Sequence, residues 1–195
     1  MIAATTPPAS LPFTGNDEAD RLLATDPLAL LIGFALDQQV SVQKAFSGPA
    51  ELRRRIGHLD AARIASMDPA ELDRVFRQRP ALHRFPGAMA SRVQALCAYL
   101  VREYGGDVAR VWTDAADGRD LRARLLAVPS IGEMKASSIL AILAKQFRLA
   151  LPDLDSVVPR HPTLGDVDSA EALADYQAGK RAYKAAMRAE GGRPR

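Results

Sequence analysis

The sequence has a single cysteine, Cys97, and three histidines in 195 residues. One thiol cannot form a disulfide within the chain, and it cannot hold an iron–sulfur cluster, which needs several ligands. His58, His83 and His161 lack the spacing of a metal site, so we expect neither a metal nor another cofactor. A Gly-rich phosphate loop and a nucleophile elbow are also missing, which excludes two common classes of hydrolase.

Long apolar runs are missing too. No stretch approaches the length of a membrane span, and the N-terminus lacks the basic and apolar segments of a secretory signal. We therefore expect a cytoplasmic protein with no membrane partner. Its 48% apolar and 25% charged content is typical of a folded protein, and its net charge of +3 permits nucleic-acid binding without demonstrating it.

The alternation typical of strands is scarce, whereas apolar residues recur at helical spacing along the chain, so the sequence predicts an all-α fold. Asp26-Pro27 starts the most apolar segment, which we expect to be the central buried helix. Ser41 can cap the next helix, which Gly48-Pro49 should interrupt because proline removes a backbone donor.

Three parts of the chain are expected. Residues 1–25 form an N-terminal arm, flexible or extended, and a short helix; residues 26–147 form the helical core. Residues 148–195 form a loop, a basic terminal helix and a tail, with Gly191 to Arg195 disordered. The two termini are expected to build a small lobe on the core, and we expect the protein to be a monomer.

Two amphipathic segments flank Val128-Pro129-Ser130-Ile131-Gly132, which predicts an αα-hairpin at about 118–147. Pro129 ends the first helix because it disfavours α geometry in the residue before it. Gly132 is expected to give the backbone freedom for the tight turn. The second helix then begins with unpaired N–H groups at its positive dipole end, which favour an anion. An ordinary αα-hairpin in a helical bundle is the alternative.

Together with Ala136, this stretch resembles the helix-hairpin-helix of the base-excision DNA glycosylases related to endonuclease III, the HhH-GPD superfamily. The usual form there is Leu-Pro-Gly-Ile-Gly-x-x-x-Ala. Asp37-Gln38-Gln39-Val40-Ser41, at the end of the apolar helix, resembles a segment of the 3-methyladenine branch. The resemblance spans roughly Asp26 to Asp155 and implies an HhH-GPD-like helical bundle, without an iron–sulfur cluster, that binds double-stranded DNA.

The resemblance also implies which residues contact DNA. The hairpin amides would hold a backbone phosphate, with a lysine adding charge, and a glutamine would fill the gap left by a flipped base. Glutamine suits that role because it is long, uncharged and able to pair with an orphaned base. The alternative is that the glutamines cap or bridge helices. The implied residues are Gln38, Gln39, Pro129, Ser130, Ile131, Gly132 and Lys135.

A catalytic role is implied for an aspartate on the loop after the second hairpin helix. There a carboxylate stabilises the oxocarbenium-like charge that builds up when an N-glycosidic bond breaks. Met134 occupies the position of the lyase lysine, and Asp153 fits the family's spacing from it better than Asp155 does. The resemblance thus implies a monofunctional DNA N-glycosylase, with little strand cleavage because Met134 cannot form a Schiff base.

The sequence departs from the family at several positions. Ser130 replaces the first hairpin glycine, Lys135 comes one position late, and Glu133 adds negative charge near the amides. The usual Val-Asp-Thr-His around the catalytic aspartate is absent. A catalytically silent protein of the same fold, which binds damaged or distorted DNA, is therefore the alternative function.

A cationic loop with one aromatic side chain precedes a long amphipathic helix; it consists of Arg77-Gln78-Arg79-Pro80 and His83-Arg84-Phe85-Pro86. Such a loop is either simply solvated or contacts phosphate beside the hairpin. The sequence leaves both interpretations open.

Overall fold

The computed structural model describes residues 5–189, and this part of the chain is helical without any strand, which confirms the all-α prediction. The predicted disordered tail, Gly191 to Arg195, lies outside it. The helices are α1 Asp17–Thr25, α2 Pro27–Leu36, α3 Val42–Ile56, α4 Ala61–Ser66, α5 Pro69–Arg77, α6 Pro86–Tyr104, α7 Arg110–Thr113, α8 Gly118–Ala127, α9 Glu133–Lys145 and α10 Ala170–Ala189. Short 3₁₀ turns cover Leu154–Ser156 and Leu164–Asp166.

Helix α2 lies at the centre of the core, as predicted. Each residue from Leu28 to Leu36 is buried. The helix begins where the Asp26 carboxylate accepts hydrogen bonds from the N–H groups of Leu28 and Ala29, at 2.8 and 3.2 Å. Its 10 residues span about 15 Å, roughly half of a bilayer core. Within residues 5–189, no helix is both long and apolar enough to cross a membrane.

Helix α3 continues through Pro49, so the predicted interruption at Gly48-Pro49 is wrong. Its start is as expected, because Ser41 Oγ accepts a hydrogen bond from the N–H of Lys44 at 3.2 Å. Proline inside a helix costs about 3 kcal/mol. Packing against α2 offsets that cost: Pro49 is buried, and a Cβ on Gly48 would lie 2.4 Å from Cδ1 of Leu36.

Apolar side chains from all three predicted parts join one buried cluster. Leu11 and Phe13 of the N-terminal arm are fully buried, and Phe13 packs edge-on against Phe46 with ring centroids 5.2 Å apart. The arm is therefore extended and anchored rather than flexible over these residues. Leu173 of α10 belongs to the same cluster. The division into a core and a terminal lobe stays a prediction.

Candidate nucleic-acid interface

The turn between α8 and α9 is tight and closed by backbone bonds. Val128 ends α8, and its carbonyl accepts a hydrogen bond at 3.1 Å from the N–H of Ile131, whose side chain is buried. The left-handed residue is Ser130, with φ 72°, whereas Gly132 is extended with φ −95°. The prediction that Gly132 supplies the conformational freedom is therefore wrong. Ser130, where the resembling motif has its first glycine, takes the left-handed conformation.

Helix α9 begins without a capping side chain, since Gly132 has none. The first N–H groups of a helix have no partner within it, so this end is open to an anion. Glu133 would oppose that anion, but the guanidinium of Arg122 binds its carboxylate at 2.5 Å. Helices α6 and α7 also begin without a side-chain cap. Six other helices, α1 to α5 and α8, begin with a side-chain cap from Asn16, Asp26, Ser41, Asp60, Asp68 and Asp117 in turn.

An open groove of about 540 Å³ lies over this turn. Two cations, Lys135 and Arg92, line it together with the amide side chain of Gln38. The structure thus brings one of the predicted glutamines, from the end of α2, to the hairpin. The predicted residues gathered in the groove are Gln38, Pro129, Ser130, Ile131, Gly132 and Lys135.

Lys135 connects the hairpin turn to the end of α2. Its Nζ donates hydrogen bonds to the carbonyl oxygens of Ser130 at 3.2 Å and of Ala35 at 3.4 Å. Burial lowers the pKa of Lys135; the negative charge of Asp37 opposes that shift, and the positive charge of Arg92 adds to it. The ammonium therefore both holds the turn and supplies charge to the groove.

The two predicted glutamines occupy different environments. Gln38 is half-buried: its side-chain oxygen accepts a hydrogen bond from the guanidinium of Arg92, and its carbonyl is 3.0 Å from Nε2 of His83. Gln39 is exposed and left-handed, with φ 56°. Gln38 thus bridges α2 to α6, in part as the alternative interpretation expected, whereas the side chain of Gln39 is presented to solvent.

His83 was not among the predicted site residues. The imidazole is buried, and its Nδ1 accepts a hydrogen bond from the N–H of Phe85 at 3.0 Å. A neutral imidazole has one donor and one acceptor, so Nε2 carries the proton and donates to Gln38 O. Burial lowers the pKa of His83; hydrogen bonds to the backbone of Gln38 and Leu36 oppose that shift, and the nearby charges of Lys44 and Arg84 add to it. Nothing local in the sequence indicates a bond between residues 45 positions apart.

The predicted catalytic candidates lie elsewhere. Asp153 and Asp155 are exposed and belong to a loop that packs on the start of α8, where the N–H of Gly118 donates to the carbonyl of Pro152 at 2.9 Å. Helix α8 has 10 residues, so about 15 Å separates this loop from the hairpin turn. The structure therefore does not bring either aspartate into the groove. Asp153 is left-handed, with φ 52°.

No family model matches the chain, and no curated protein matches it either. The function must therefore be argued from the chemistry of the groove and of the segments that line it.

Proposed function

We propose that this protein binds damaged or distorted duplex DNA through the hairpin groove, in the context of base-excision repair. The single observation that carries the proposal is the groove itself. It combines an uncapped helix N-terminus with two cations and a polar side chain from a separate segment. Backbone N–H groups and cations are the usual ligands of DNA phosphates.

Two kinds of group have separate roles in this proposal: amides and cations that bind phosphate, and glutamine side chains that meet the bases. A backbone phosphate binds the amides at the start of α9, while Lys135 and Arg92 supply the positive charge. Phosphate contacts position a protein on DNA without reading its bases. The glutamine turn beside the groove, Gln38 and Gln39, then meets the base pairs. An amide can pair with a base that has lost its partner.

A second candidate function is a monofunctional DNA N-glycosylase that uses Asp153 or Asp155. It is favoured by the exposed, left-handed Asp153 on the loop after α9, because such backbone conformations are concentrated at functional sites. The length of α8 favours the first candidate. About 15 Å is roughly four to five base steps of 3.4 Å, so a base flipped at the glutamine turn is not carried to Asp153.

The phosphate contact is tested by replacing Glu133 with proline. Proline is accepted at the first position of a helix, and the extended Gly132 suits the residue before it, so the change removes one amide donor and keeps the helix. A hydrogen bond to a charged group contributes about 1.5–3 kcal/mol, so we expect duplex affinity to fall roughly tenfold or more. The measurement is fluorescence anisotropy with a labelled duplex.

Glu133→Ala is the matched control, because it removes the same carboxylate and keeps the amide. Its affinity should equal or exceed that of the unmodified protein, since Glu133 repels phosphate. If the unmodified protein binds no duplex at low salt, or binds it equally at all salt concentrations, the proposal fails. A helical module that binds other proteins then replaces it.

The glycosylase candidate is tested separately with duplexes that carry alkylated, deaminated and oxidised bases. Excision that is lost in Asp153→Asn or Asp155→Asn, with binding retained, would establish the enzyme and its catalytic residue. If no base in a broad panel is released, or if both variants act normally, the aspartates are not catalytic.

A further inference from the structure

The second half of α10 projects from the body of the protein. In the first half, Leu173 is buried and both Tyr176 and Gln177 are half-buried. From residue 178 to residue 186, every side chain that the structure describes is exposed. A helix that packs on a protein surface buries a residue at every third or fourth position. Because this pattern stops after Gln177, the helix leaves the surface there.

The projecting segment is strongly cationic. Residues 178–189, which we call the basic extension, contain no acidic residue, whereas the net charge of the whole chain is only +3. Three of the cations recur at intervals of four residues, so the sequence puts them on one face of the helix. Like charges at that spacing destabilise a helix, so a polyanion that neutralises them should stabilise the extension. The cations are Lys180, Arg181, Lys184 and Arg188.

The first two cations of the basic extension are free to bind an anion. Nζ of Lys180 lies 5.2 Å from the ring centre of Tyr176, one helical turn earlier, so the half-buried ring holds the ammonium near the body. Among the side chains that the structure describes, no carboxylate pairs with Lys180 or Arg181. Both side chains are exposed. Their charges are therefore available to a ligand.

The first half of α10 is fixed beside the glutamine turn. Gln177 Nε2 donates a hydrogen bond at 2.9 Å to Oε1 of Gln43, in the first turn of α3, the helix that directly follows the glutamine turn. The turn before α10 is held by α9, because Gln146 Nε2 donates to the carbonyls of Gly165 at 3.2 Å and of Val167 at 2.8 Å. Since Gln177 directly precedes the basic extension, the extension leaves the protein beside the start of α3.

We propose that the basic extension is a second DNA contact, which binds the phosphate backbone of the duplex outside the position that the groove holds. At about 1.5 Å per residue the segment is about 18 Å long, the length of about five base steps of 3.4 Å. Its cations neutralise phosphates and read no base, so the contact is independent of sequence and of damage. This inference rests on the proposed function, since the groove must first hold the duplex.

The test measures the affinity for intact duplexes of about 8 and about 20 base pairs, of which only the longer also reaches the extension. Lys180→Gln combined with Arg181→Gln removes two cations, and glutamine has nearly the same helix propensity as lysine and arginine. For the longer duplex, the slope of log affinity against log salt should fall by about 1.8, or about 0.9 for each phosphate contact. The unmodified protein should then lose roughly tenfold more affinity than the variant between about 50 and about 200 mM salt.

The matched control is Lys180→Arg combined with Arg181→Lys, which keeps both charges and should keep both the affinity and the slope. For the shorter duplex, the charge-removing variant should bind within about twofold of the unmodified protein, because that duplex occupies the groove alone. A photocrosslinker provides a direct signal. When p-benzoylphenylalanine replaces Tyr183, which is 66% exposed in the extension, it should crosslink to the longer duplex and not to the shorter one.

The outcomes separate this inference from the proposed function. If the shorter duplex binds in a salt-dependent way but removal of the two charges leaves the binding of the longer duplex unchanged, the extension does not contact DNA and the groove proposal stands. An acidic protein surface is then the polyanion that fits the extension. Equal losses on both duplexes, or an equal loss in the charge-keeping control, would also overturn the inference. If neither duplex binds, the groove proposal and this inference both fail.

Discussion

The two helices of the hairpin begin in opposite ways. At the start of α8, the Asp117 carboxylate accepts hydrogen bonds from the N–H groups of Arg119 and Asp120, both at 2.8 Å, so the protein's own anion occupies this end. At the start of α9, Gly132 provides no such group. The comparison shows that a helix N-terminus becomes a candidate phosphate site through the absence of a cap as much as through the dipole.

The largest loss of duplex affinity is expected when α9 is given the side-chain cap that α8 has, because the two helices then begin in the same way. A Cβ on Gly132 would meet no atom within 4 Å, and its backbone is extended, so Gly132→Asp is accommodated. The new carboxylate should occupy the free amides and repel phosphate. We expect duplex affinity to fall at least about tenfold, because hydrogen bonds to charged groups contribute about 1.5–3 kcal/mol.

Thermal unfolding provides the control for this variant, since an added cap should leave the midpoint unchanged or slightly raised. Gly132→Ala adds the same Cβ without a carboxylate and should bind far better than Gly132→Asp. Equal affinities of the two variants would show that the start of α9 does not contact phosphate.

The next largest effect on duplex affinity is expected from changing the charges at the two ends of α8. Lys135→Met removes one of the two cations of the groove and keeps the length of the side chain, whereas Arg119→Met removes an exposed cation at the far end of α8. We expect about fivefold to tenfold weaker duplex binding for Lys135→Met. The slope of log affinity against log salt should also fall by about 0.9, the value for one phosphate contact.

Arg119→Met should change affinity less than about twofold and leave the slope alone. Measuring anisotropy at several salt concentrations gives both quantities. A larger loss for Arg119→Met than for Lys135→Met would place the DNA at the wrong end of α8 and contradict the groove proposal.

A smaller effect is expected from pH on the stability of the fold, and it concerns only the end of α8 that lies at the groove. His83 is held neutral, and its pKa lies below the ordinary value because burial outweighs the backbone hydrogen bonds to Gln38 and Leu36 that favour the charged form. As pH falls through about 6.5, the unfolded chain takes up a proton that the folded chain resists, so stability decreases. For one such group the loss at pH 5.5 is at most about 1.4 kcal/mol.

His83→Leu isolates this contribution from the other titrating groups. The free energy of unfolding, measured with urea at pH 7.5 and 5.5, should favour the unmodified protein more at pH 7.5 than at pH 5.5. A difference between the two proteins that is independent of pH would show that His83 does not titrate with folding.

The smallest expected effect compares the two left-handed residues near the ends of α8. Ser130 and Asp153 have φ 72° and 52°, a region that costs non-glycine residues about 1–2 kcal/mol. Replacement by glycine relieves that cost but adds unfolded-state entropy of about 0.4–1 kcal/mol. Ser130→Gly and Asp153→Gly should therefore each raise stability by roughly 0.5 kcal/mol, seen as a rise of about 1–2 °C in Tm.

Of these two variants, only Ser130→Gly also tests the groove, because Ser130 lines the groove. Its duplex affinity should be retained, since the turn keeps its shape. A loss of affinity in Ser130→Gly, with Asp153→Gly unchanged, would assign a direct contact to the Ser130 side chain.

The sequence predicted the features that depend on local backbone chemistry. The start of α2 at Asp26 and of α3 at Ser41, and the end of α8 before Pro129, follow from caps and from proline's missing donor. Local rules failed at Pro49, because the close packing of α2 against α3 outweighs proline's cost. They also assigned the left-handed position of the turn to Gly132, whereas Ser130 adopts it.

The sequence predicted the separate segments of the candidate site but not how the fold brings them together. Gln38 and the hairpin were each identified from their own segment, but their meeting in one groove depends on the tertiary arrangement that brings the end of α2 to the hairpin, where Lys135 Nζ donates to the carbonyl of Ala35. The His83–Gln38 bond joins residues 45 positions apart, and periodicity carries no information about such a pair. The spacing of Asp153 along the chain likewise did not indicate that α8 would separate it from the turn.

The connections made by Lys135 and His83 have a kinetic consequence. Because Lys135 joins the turn to Ala35, and His83 joins Gln38 to Phe85, the groove and the loops beside it have one arrangement before any ligand arrives. Association then requires encounter and orientation rather than refolding of a loop, so its rate constant should be similar for intact and abasic duplexes. Discrimination would lie in the dissociation rate, with the protein leaving intact DNA quickly and remaining longer where a base pair is disrupted.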